Sequence, residues 1–171
     1  VYNCGGYESV HTVAFLRNKV QCWLPDLKYM DSTASKRYRD APDYFEQASA
    51  ASEQMFRQTA PYEIGPDGIL KKGVIIRHLI LHGQVEDTKR IMEYIAETFA
   101  PGDVLFSLMR QYIPYGRASE FPEINRRITD EEYEECESYM EDLGITDGYV
   151  QAKESSDKAF IPIFDGTGVL E

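Results

Sequence analysis

The spacing of apolar residues changes between two periods along the chain, which predicts strands that alternate with helices. Four apolar runs are short enough to be buried strands, at residues 20–27, 73–81, 104–113 and 148–151. The run at 73–81 is the strongest, because continuous β-branched and aliphatic residues are typical of a strand covered on both sides in a parallel sheet. Val1, Tyr2 and Asn3 are interpreted as the end of one further strand.

Apolar side chains at helical spacing predict helices between these strands. The predicted helices cover residues 8–17, 31–38, 43–60, 85–99 and 129–143. Asp31 is a predicted N-cap, and Thr129 with Glu132 has the spacing of a capping box. Residues 62–70 are predicted as a loop or hairpin, and residues 115–128 as an ordered loop.

Strands that alternate with helices predict an α/β fold of parallel β/α units with right-handed crossovers. A complete (β/α)8 barrel needs about 250 residues, and this chain has 171. We therefore predict the C-terminal part of a partial TIM-type barrel over residues 1–151. Residues 152–171 are predicted as a C-terminal tail packed on that barrel, with one apolar segment at 160–164.

Composition narrows the function classes. The net charge of -11 makes nucleic-acid binding an unfavourable main role, because an acidic surface repels phosphates. No run of about 18 apolar residues predicts a membrane span, and no signal peptide is visible. Three widely spaced cysteines fit reduced thiols in a cytoplasmic protein better than a disulfide framework. They have no metal or cluster spacing, and because residue 1 is valine the sequence is interpreted as a fragment of a longer protein.

The predicted strand at 20–27 begins apolar and ends in charge. Successive side chains of a strand point to opposite faces, so Asp26 and Lys28 share one face and Leu27 takes the other. Ligands of α/β folds bind at this C-terminal end of the strands. The alternative interpretation is that the two charges only solvate the point where the strand becomes a loop.

Six short motifs occur in order along almost the whole chain. They are YNCGGYE at 2–8, LPDLKY at 24–29, RHLIL at 77–81, QYIP at 111–114, EFPEINRR at 120–127 and IPIFDGTG at 161–168. Together they resemble the radical S-adenosylmethionine (SAM) proteins related to pyruvate formate-lyase activating enzyme. That family carries a CxxxCxxC motif, whose cysteines hold a [4Fe–4S] cluster, near its first barrel strand. The motif is absent here, so the resemblance implies that the cluster ligands lie upstream of this chain.

The resemblance implies an oxidoreductase that reductively cleaves SAM to a 5′-deoxyadenosyl radical. This chain would be the C-terminal, cofactor-binding portion of the barrel, and the 171 residues alone would be inactive. The implied cofactors are SAM and the [4Fe–4S] cluster. The implied partners are a glycyl-radical enzyme or another protein substrate, and an electron donor of the flavodoxin or ferredoxin type.

The resemblance also implies roles for individual residues. Asp26 would accept the ribose hydroxyls, and Lys28 would reach the ribose and the methionyl carboxylate. Arg77 would pair with that carboxylate, and Leu79 on the same face would lie under the adenine. The alternative for Arg77 is a structural ion pair. Asn3 stands where the activating enzymes place an aspartate near the cofactor's amino group.

The remaining candidates are weaker. Gln111 would line the substrate side of the site, and for Tyr112 core packing is the equal alternative. His78 is predicted to pack against a helix, because it faces away from Arg77. His11 is predicted to be exposed, and His82 is left without a role because relatives usually have proline there.

Cys4 and Cys22 are read as buried thiols, and the acidic run at 130–142 as a solvated helix face. Two function classes stay open: a radical SAM enzyme, and a non-catalytic α/β binding or interaction module.

Overall fold

The structure, a computed structural model, describes residues 1–150, which form six strands and five α-helices. In chain order the elements are β1 (Tyr2–Cys4), α1 (Val10–Phe15), β2 (Cys22–Pro25), α2 (Ser32–Arg39), α3 (Tyr44–Thr59), β3 (Glu63–Ile64), β4 (Leu70–Leu79), α4 (Val85–Thr98), β5 (Leu105–Met109), α5 (Asp130–Asp142) and β6 (Gly148–Val150). Two short 3₁₀ turns, Gly116–Glu120 and Pro122–Ile124, lie between β5 and α5. The predicted tail at 152–171 lies outside the described residues.

Five of the strands form a parallel sheet in the order β1-β2-β4-β5-β6. The prediction that the apolar runs at 20–27, 73–81 and 104–113 are parallel neighbours is therefore confirmed. The exception is β3, which pairs antiparallel with the beginning of β4. Residues 62–70 thus belong to a hairpin, one of the two predicted alternatives.

The largest differences from the predicted strand bounds are at the start of β4 and at the end of β5. β4 begins at Leu70 rather than at residue 73, because β3 offers a partner through the pair Glu63 and Lys72. β5 ends at Met109 rather than at residue 113. The next residue, Arg110, places its Nη2 2.6 Å from Asp130 Oδ1 at the start of α5. Pairing with β3 therefore lengthens β4 at its start, and the residue after the early end of β5 forms an ion pair with α5.

Side-chain caps fix the beginnings of two helices as predicted. The Asp31 carboxylate accepts a hydrogen bond from Thr33 N at 2.8 Å, which caps α2. At α5 the Thr129 hydroxyl accepts from Glu132 N, and the Glu132 carboxylate accepts from Thr129 N, at 3.2 and 2.9 Å. This reciprocal pair is a complete capping box.

One face of the sheet forms the core with the helices. Alternate residues of β4, Val74, Ile76 and His78, are buried, and Phe106 and Leu108 continue the same pleat on β5. These apolar side chains belong to one cluster with buried residues of α1, α3, α4 and α5. Burying this face of the sheet against the helices is the main source of stability.

The alternating residues form the second face, which is less buried. The strand register places four residues of this face side by side across the sheet. Asp26 lies beside Arg77, Arg77 beside Ser107, and Ser107 beside Tyr149. Arg77 and Ser107 are half-buried, whereas their neighbours on the core face are fully buried. Asp26, Arg77 and Ser107 thus lie together on the face opposite the core cluster, whereas His78 is a polar residue of the core face.

The helices of the described part have no membrane-spanning character. Within residues 1–150, no helix combines the length and the apolar composition that a bilayer requires.

Candidate functional site

Four polar residues meet at the C-terminal ends of β1, β2 and β4. Parallel strands end at the same edge of a sheet, so Asn3, Asp26, Lys28 and Arg77 are brought together from distant parts of the chain. We call these four residues the strand-end cluster. From the sequence we expect Asp26, Lys28 and Arg77 to converge on one cavity, with Asn3 and Gln111 on its rim. The structure brings Asp26, Lys28, Arg77 and Asn3 into contact. Gln111 is not part of these contacts, and the shared cavity stays a prediction.

The Asp26 carboxylate is the centre of the strand-end cluster. Its Oδ2 lies 3.0 Å from Lys28 Nζ, and its Oδ1 lies 2.5 Å from Arg77 Nη2. Arg77 Nη2 also donates a hydrogen bond to Asn3 Oδ1 at 2.7 Å. One carboxylate thus faces two cations, which leaves local positive charge on a strongly acidic protein.

The charged side chains of this cluster are largely withdrawn from water. The exposed fraction is 12% for the Asp26 side chain, 23% for Arg77 and 25% for Lys28. Arg77 Nε is buried and has no hydrogen-bond partner within residues 1–150, and Asp26 Oδ1 contacts Arg77 without hydrogen-bond geometry. Asp26 Oδ1 is therefore held by its ion pair with Arg77, and Arg77 Nε is the donor of this cluster that lacks a partner in the described part of the chain.

Tyr44 at the start of α3 holds the backbone that carries Asp26 and Lys28. Its hydroxyl oxygen accepts a hydrogen bond from Lys28 N at 3.1 Å. The hydroxyl hydrogen is shared between two carbonyl oxygens, that of Asp26 at 2.9 Å and that of Gly5 at 3.0 Å. Tyr44 is 1% exposed, and burial raises the pKa of its phenol, so the group stays neutral and can donate.

The Tyr44 hydroxyl gives a first prediction. Tyr44→Phe should lower the free energy of unfolding by about 1–3 kcal/mol, because the partners of a buried hydroxyl are left unsatisfied. Urea denaturation of the chain measures this change. Tyr7→Phe is the matched control: the Tyr7 hydroxyl donates to Asp43 at 2.7 Å, but in an exposed position where water replaces it. An equal effect of both substitutions would contradict the bracing role of Tyr44.

His78 holds the same segment from the side of α4. Its Nδ1 lies 2.7 Å from the carbonyl oxygen of Leu27, and its Nε2 lies 2.9 Å from Thr88 Oγ1. A carbonyl only accepts, so Nδ1 of the neutral ring carries the proton. Nε2 then accepts from the Thr88 hydroxyl, whose hydrogen is shared with the carbonyl oxygen of Gln84 at 3.1 Å. The prediction that His78 packs against a helix is confirmed. Through its contact with the Leu27 carbonyl, His78 also holds the backbone between Asp26 and Lys28.

Gly6 brings the turn after β1 against the end of β2. Its φ is +82°, and a Cβ at this position would overlap the carbonyl oxygen of Asp26. Glycine is required here both for the backbone conformation and for the space. By contrast, a Cβ on Gly5 would meet nothing within 4 Å. Only the second glycine of the pair therefore allows the close approach.

Two other predicted site residues, Leu79 and Gln111, lie at or just beyond the ends of β4 and β5, and no contact with the strand-end cluster is seen for them among the interactions described above. Leu79 is half-buried on the face of Arg77, two residues further along β4. Gln111 lies two residues beyond the end of β5, is exposed, and directs its Nε2 to Met109 Sδ at 3.7 Å. The roles of both in binding a cofactor stay predictions.

Ser107 is a site residue that our sequence interpretation missed. It pairs with Arg77 across β4 and β5, on the same face, and its hydroxyl has no hydrogen-bond partner among residues 1–150. The signal was present, since Ser107 is the one polar residue in the strand LFSLM. Tyr44 was also missed, and a tyrosine that begins a helix gives no comparable signal.

The histidines and cysteines that were weighed as candidates lie outside the strand-end cluster. His11 is exposed, as predicted. His82 Nδ1 lies 2.7 Å from Glu132 Oε2, and Glu132 Oε1 accepts from Gly83 N at 2.9 Å, so this pair ties the end of β4 to α5. Cys22 is buried as predicted, whereas Cys4 is only half-buried because it lies on the edge strand β1.

Two further predicted features also have structural partners. The Tyr112 hydroxyl donates to the carbonyl oxygen of Ile124 at 2.9 Å. The acidic run at 130–142 is mostly a solvated face, but it also contains the buried residues Tyr133, Cys136 and Met140.

Comparisons with known proteins give one relative. No protein-family model and no solved structure matches the chain. An uncharacterized protein of Methanocaldococcus jannaschii is 29% identical over 144 residues, which cover 82% of this chain and 36% of that protein. The chain thus spans about a third of the length of this relative, whose description names no activity. The chemistry of the strand-end cluster therefore carries the functional argument.

Proposed function

We propose that this chain is the cofactor-binding portion of a radical SAM β/α barrel, and that the strand-end cluster binds SAM. The observation that carries the proposal is the convergence of Asn3, Asp26, Lys28 and Arg77 at the C-terminal ends of three parallel strands. The motifs that resemble activating enzymes give the identity of the ligand. The activity, the protein substrate and the electron donor belong to the longer protein.

The order of the strands supports the barrel. A doubly wound sheet reverses its strand order and carries helices on both faces. Here the parallel strands follow one another in chain order, apart from the hairpin strand β3, and α1, α3, α4 and α5 share one core with one face of the sheet. Parallel strands in chain order with helices on one face are what a segment of a barrel requires, and this supports the proposed barrel.

The chemistry of the cluster fits the proposed cofactor. An ionised carboxylate accepts hydrogen bonds from a diol, which suits Asp26 for the ribose. Arginine and lysine bind carboxylates through charge-assisted hydrogen bonds, which suits the partly exposed side chains of Arg77 and Lys28 for the methionyl carboxylate. Asn3 Oδ1 accepts hydrogen bonds, as binding of the amino group requires. Ser107 adds a free hydroxyl beside Arg77.

The proposal assigns different roles to the iron–sulfur cluster and to the residues of this chain. When SAM and the iron–sulfur cluster are both bound, the cluster would supply the electron for reductive cleavage of SAM. The residues of this chain would bind and orient the cofactor, and the low exposure of the Asp26, Lys28 and Arg77 side chains limits the access of water to them. Tyr44 and His78 act on the cofactor only through the backbone of residues 26–28.

The proposal predicts activity for the longer protein and none for these 171 residues. Anaerobic reconstitution of the longer protein with iron and sulfide should give a cluster absorbance that oxygen destroys. With a strong reductant, chromatography should then detect 5′-deoxyadenosine. Residues 1–171 treated in the same way should give none, because Cys4, Cys22 and Cys136 lack the CxxxCxxC spacing. A longer protein that binds no cluster would favour the non-catalytic binding module instead.

A further inference from the structure

Two segments that follow the C-terminal ends of β2 and β5 lie side by side, namely α2 and the loop between β5 and α5. The Arg37 side chain of α2 donates from Nε to Glu123 Oε1 of the loop at 2.5 Å, and the Tyr38 hydroxyl donates to the same oxygen at 3.2 Å. The rings of Tyr38 and Phe121 meet edge to face with centroids 5.3 Å apart. The two segments therefore form one continuous surface.

This surface carries an excess of positive charge on a strongly acidic protein. Residues 36–39 contain three cations and no acid, and residues 110–128 contain four arginines and two glutamates. The whole chain has the opposite balance, with 29 acidic and 18 basic residues. Five exposed cations of the two segments are called the basic rim below: Lys36, Arg37, Arg39, Arg117 and Arg126.

Three cations of the basic rim have no carboxylate partner. Lys36, Arg39 and Arg126 are exposed and form no ion pair within residues 1–150. By contrast, every cation of α3, β4 and α4 is paired with a carboxylate. The carbonyl end of α2 favours Lys36 and Arg39, but a helix dipole amounts to only about half a charge. Positive charge is therefore left over on this surface, although acidic residues outnumber basic ones in the chain.

The residue types of the basic rim are those that bind proteins. Four of its five cations are arginines, whose planar groups bind carboxylates through two parallel hydrogen bonds. Tyr115, two residues before Arg117, is 76% exposed. Arginine and tyrosine are both enriched at the interfaces between proteins. An exposed tyrosine among arginines therefore favours a protein partner that carries negative charge.

The neighbouring helix limits the extent of such a partner's negative charge. α5 begins at Asp130, four residues after Arg126, and it contains eight acidic residues and no basic one. A nucleic-acid strand carries its phosphate charges on beyond the basic rim, so α5 would repel it. A short acidic segment of a protein has its charge confined to the length of the rim.

We propose that the basic rim binds a short acidic segment of a partner protein. Lys36, Arg39 and Arg126 bind its carboxylates through charge-assisted hydrogen bonds, and Tyr115 contacts an apolar side chain. The rim follows the C-terminal ends of β2 and β5, so the partner lies at the end of the sheet that carries the strand-end cluster. The basic rim and the strand-end cluster have no residue in common, and the proposal therefore stands independently of SAM binding.

Fluorescence anisotropy with the 171-residue chain tests the proposal. The probe is a fluorescein-labelled, capped peptide in which glutamates flank a central phenylalanine. This peptide should bind, and added salt should weaken the binding, because the contacts are between exposed charges. The same peptide with glutamine in place of glutamate should not bind. Failure of the acidic peptide to bind, or tighter binding of an oligothymidylate of equal length, would overturn the proposal.

Charge-neutralising variants locate the binding on the basic rim. The triple variant Lys36→Gln, Arg39→Gln and Arg126→Gln should weaken peptide binding about tenfold, the combined effect of three exposed ion pairs. A matched control makes the same change in net charge with three exposed arginines of other surfaces: Arg17→Gln, Arg57→Gln and Arg90→Gln. The control should bind the peptide nearly as tightly as the unchanged chain. Equal weakening in both triple variants would show that only net charge matters, and the basic rim would not be the binding surface.

Discussion

If the strand-end cluster binds SAM as proposed, replacing Arg77 by alanine in the proposed longer protein should weaken SAM binding about ten- to a hundredfold. Arg77 offers an unpartnered Nε and positions Asn3 through a 2.7 Å hydrogen bond, so its loss removes a charge-assisted contact. Such contacts are worth about 1.5–3 kcal/mol, which corresponds to this range of affinity. Equilibrium binding of SAM to the reconstituted protein measures the change.

Two controls separate binding from folding in this experiment. Arg57→Ala removes an arginine of α3 whose side chain is 59% exposed and paired with Glu53, and it should leave affinity unchanged. Arg77→Lys keeps the positive charge but lacks the planar guanidinium group. Its affinity for SAM should therefore lie between that of the unchanged protein and that of Arg77→Ala. If a folded Arg77→Ala protein bound SAM normally, Arg77 would be a structural ion-pair residue, the alternative interpretation of its sequence position.

Asp26→Asn sharpens this test because it separates charge from shape. The amide fills the same space, but the two cations lose their negative partner. Affinity for a simple anion such as sulfate should rise, whereas affinity for SAM should fall, since a neutral amide is a weaker acceptor for the ribose hydroxyls. A site that merely attracts anions would bind both ligands more tightly.

The second large effect is a loss of stability in acid caused by His78. Burial lowers the pKa of His78 from 6.5 to about 4, although the Leu27 carbonyl and the Asp26 charge oppose this shift. In the unfolded chain the pKa is ordinary, so as pH falls the unfolded state binds the proton first. The stabilisation is complete above about pH 6.5 and is lost as pH falls toward 4. At about 1.4 kcal/mol per pKa unit, the loss is about 2 kcal/mol by pH 5 and about 3 kcal/mol by pH 4.

Urea denaturation at several pH values isolates the contribution of His78. The difference in unfolding free energy between pH 7 and pH 5 should shrink by about 2 kcal/mol in His78→Gln. The variant will also be less stable at pH 7, because the Leu27 carbonyl and Thr88 lose their partner, so the change with pH is the informative quantity. His11→Gln, which alters an exposed histidine, should keep the original pH dependence. An unchanged dependence in His78→Gln would assign the acid sensitivity to other groups of the chain.

The sequence predicted the parts of the site that depend on strand periodicity. Asp26 and Lys28 share a face because they are two residues apart, and Arg77 joins them because the end of a neighbouring parallel strand lies at the same edge. The apolar runs were equally informative about the order of the central strands. These inferences need only local patterns and the geometry of a parallel sheet.

What the sequence could not predict depends on contacts between distant segments. Nothing near Tyr44 indicates that its hydroxyl would reach the backbone of residues 26–28 from another element. The early start of β4 depends on β3, a strand too short to have a recognisable period. A cavity whose walls include Tyr29, Leu81 and Phe121 likewise combines residues from three separate segments, and no single segment suggests it.

The crowding at Gly6 has a consequence for finding distant relatives of this chain. Two adjacent glycines invite equal weight in a search pattern, yet a side chain at Gly5 would meet open space, whereas one at Gly6 would collide with the backbone of Asp26. A pattern that requires glycine at the second position and the Asp-x-Lys triplet some twenty residues later describes one physical contact. A sequence that has lost only the first glycine remains a candidate, but one that keeps Gly5 and replaces Gly6 must build this end of the sheet differently.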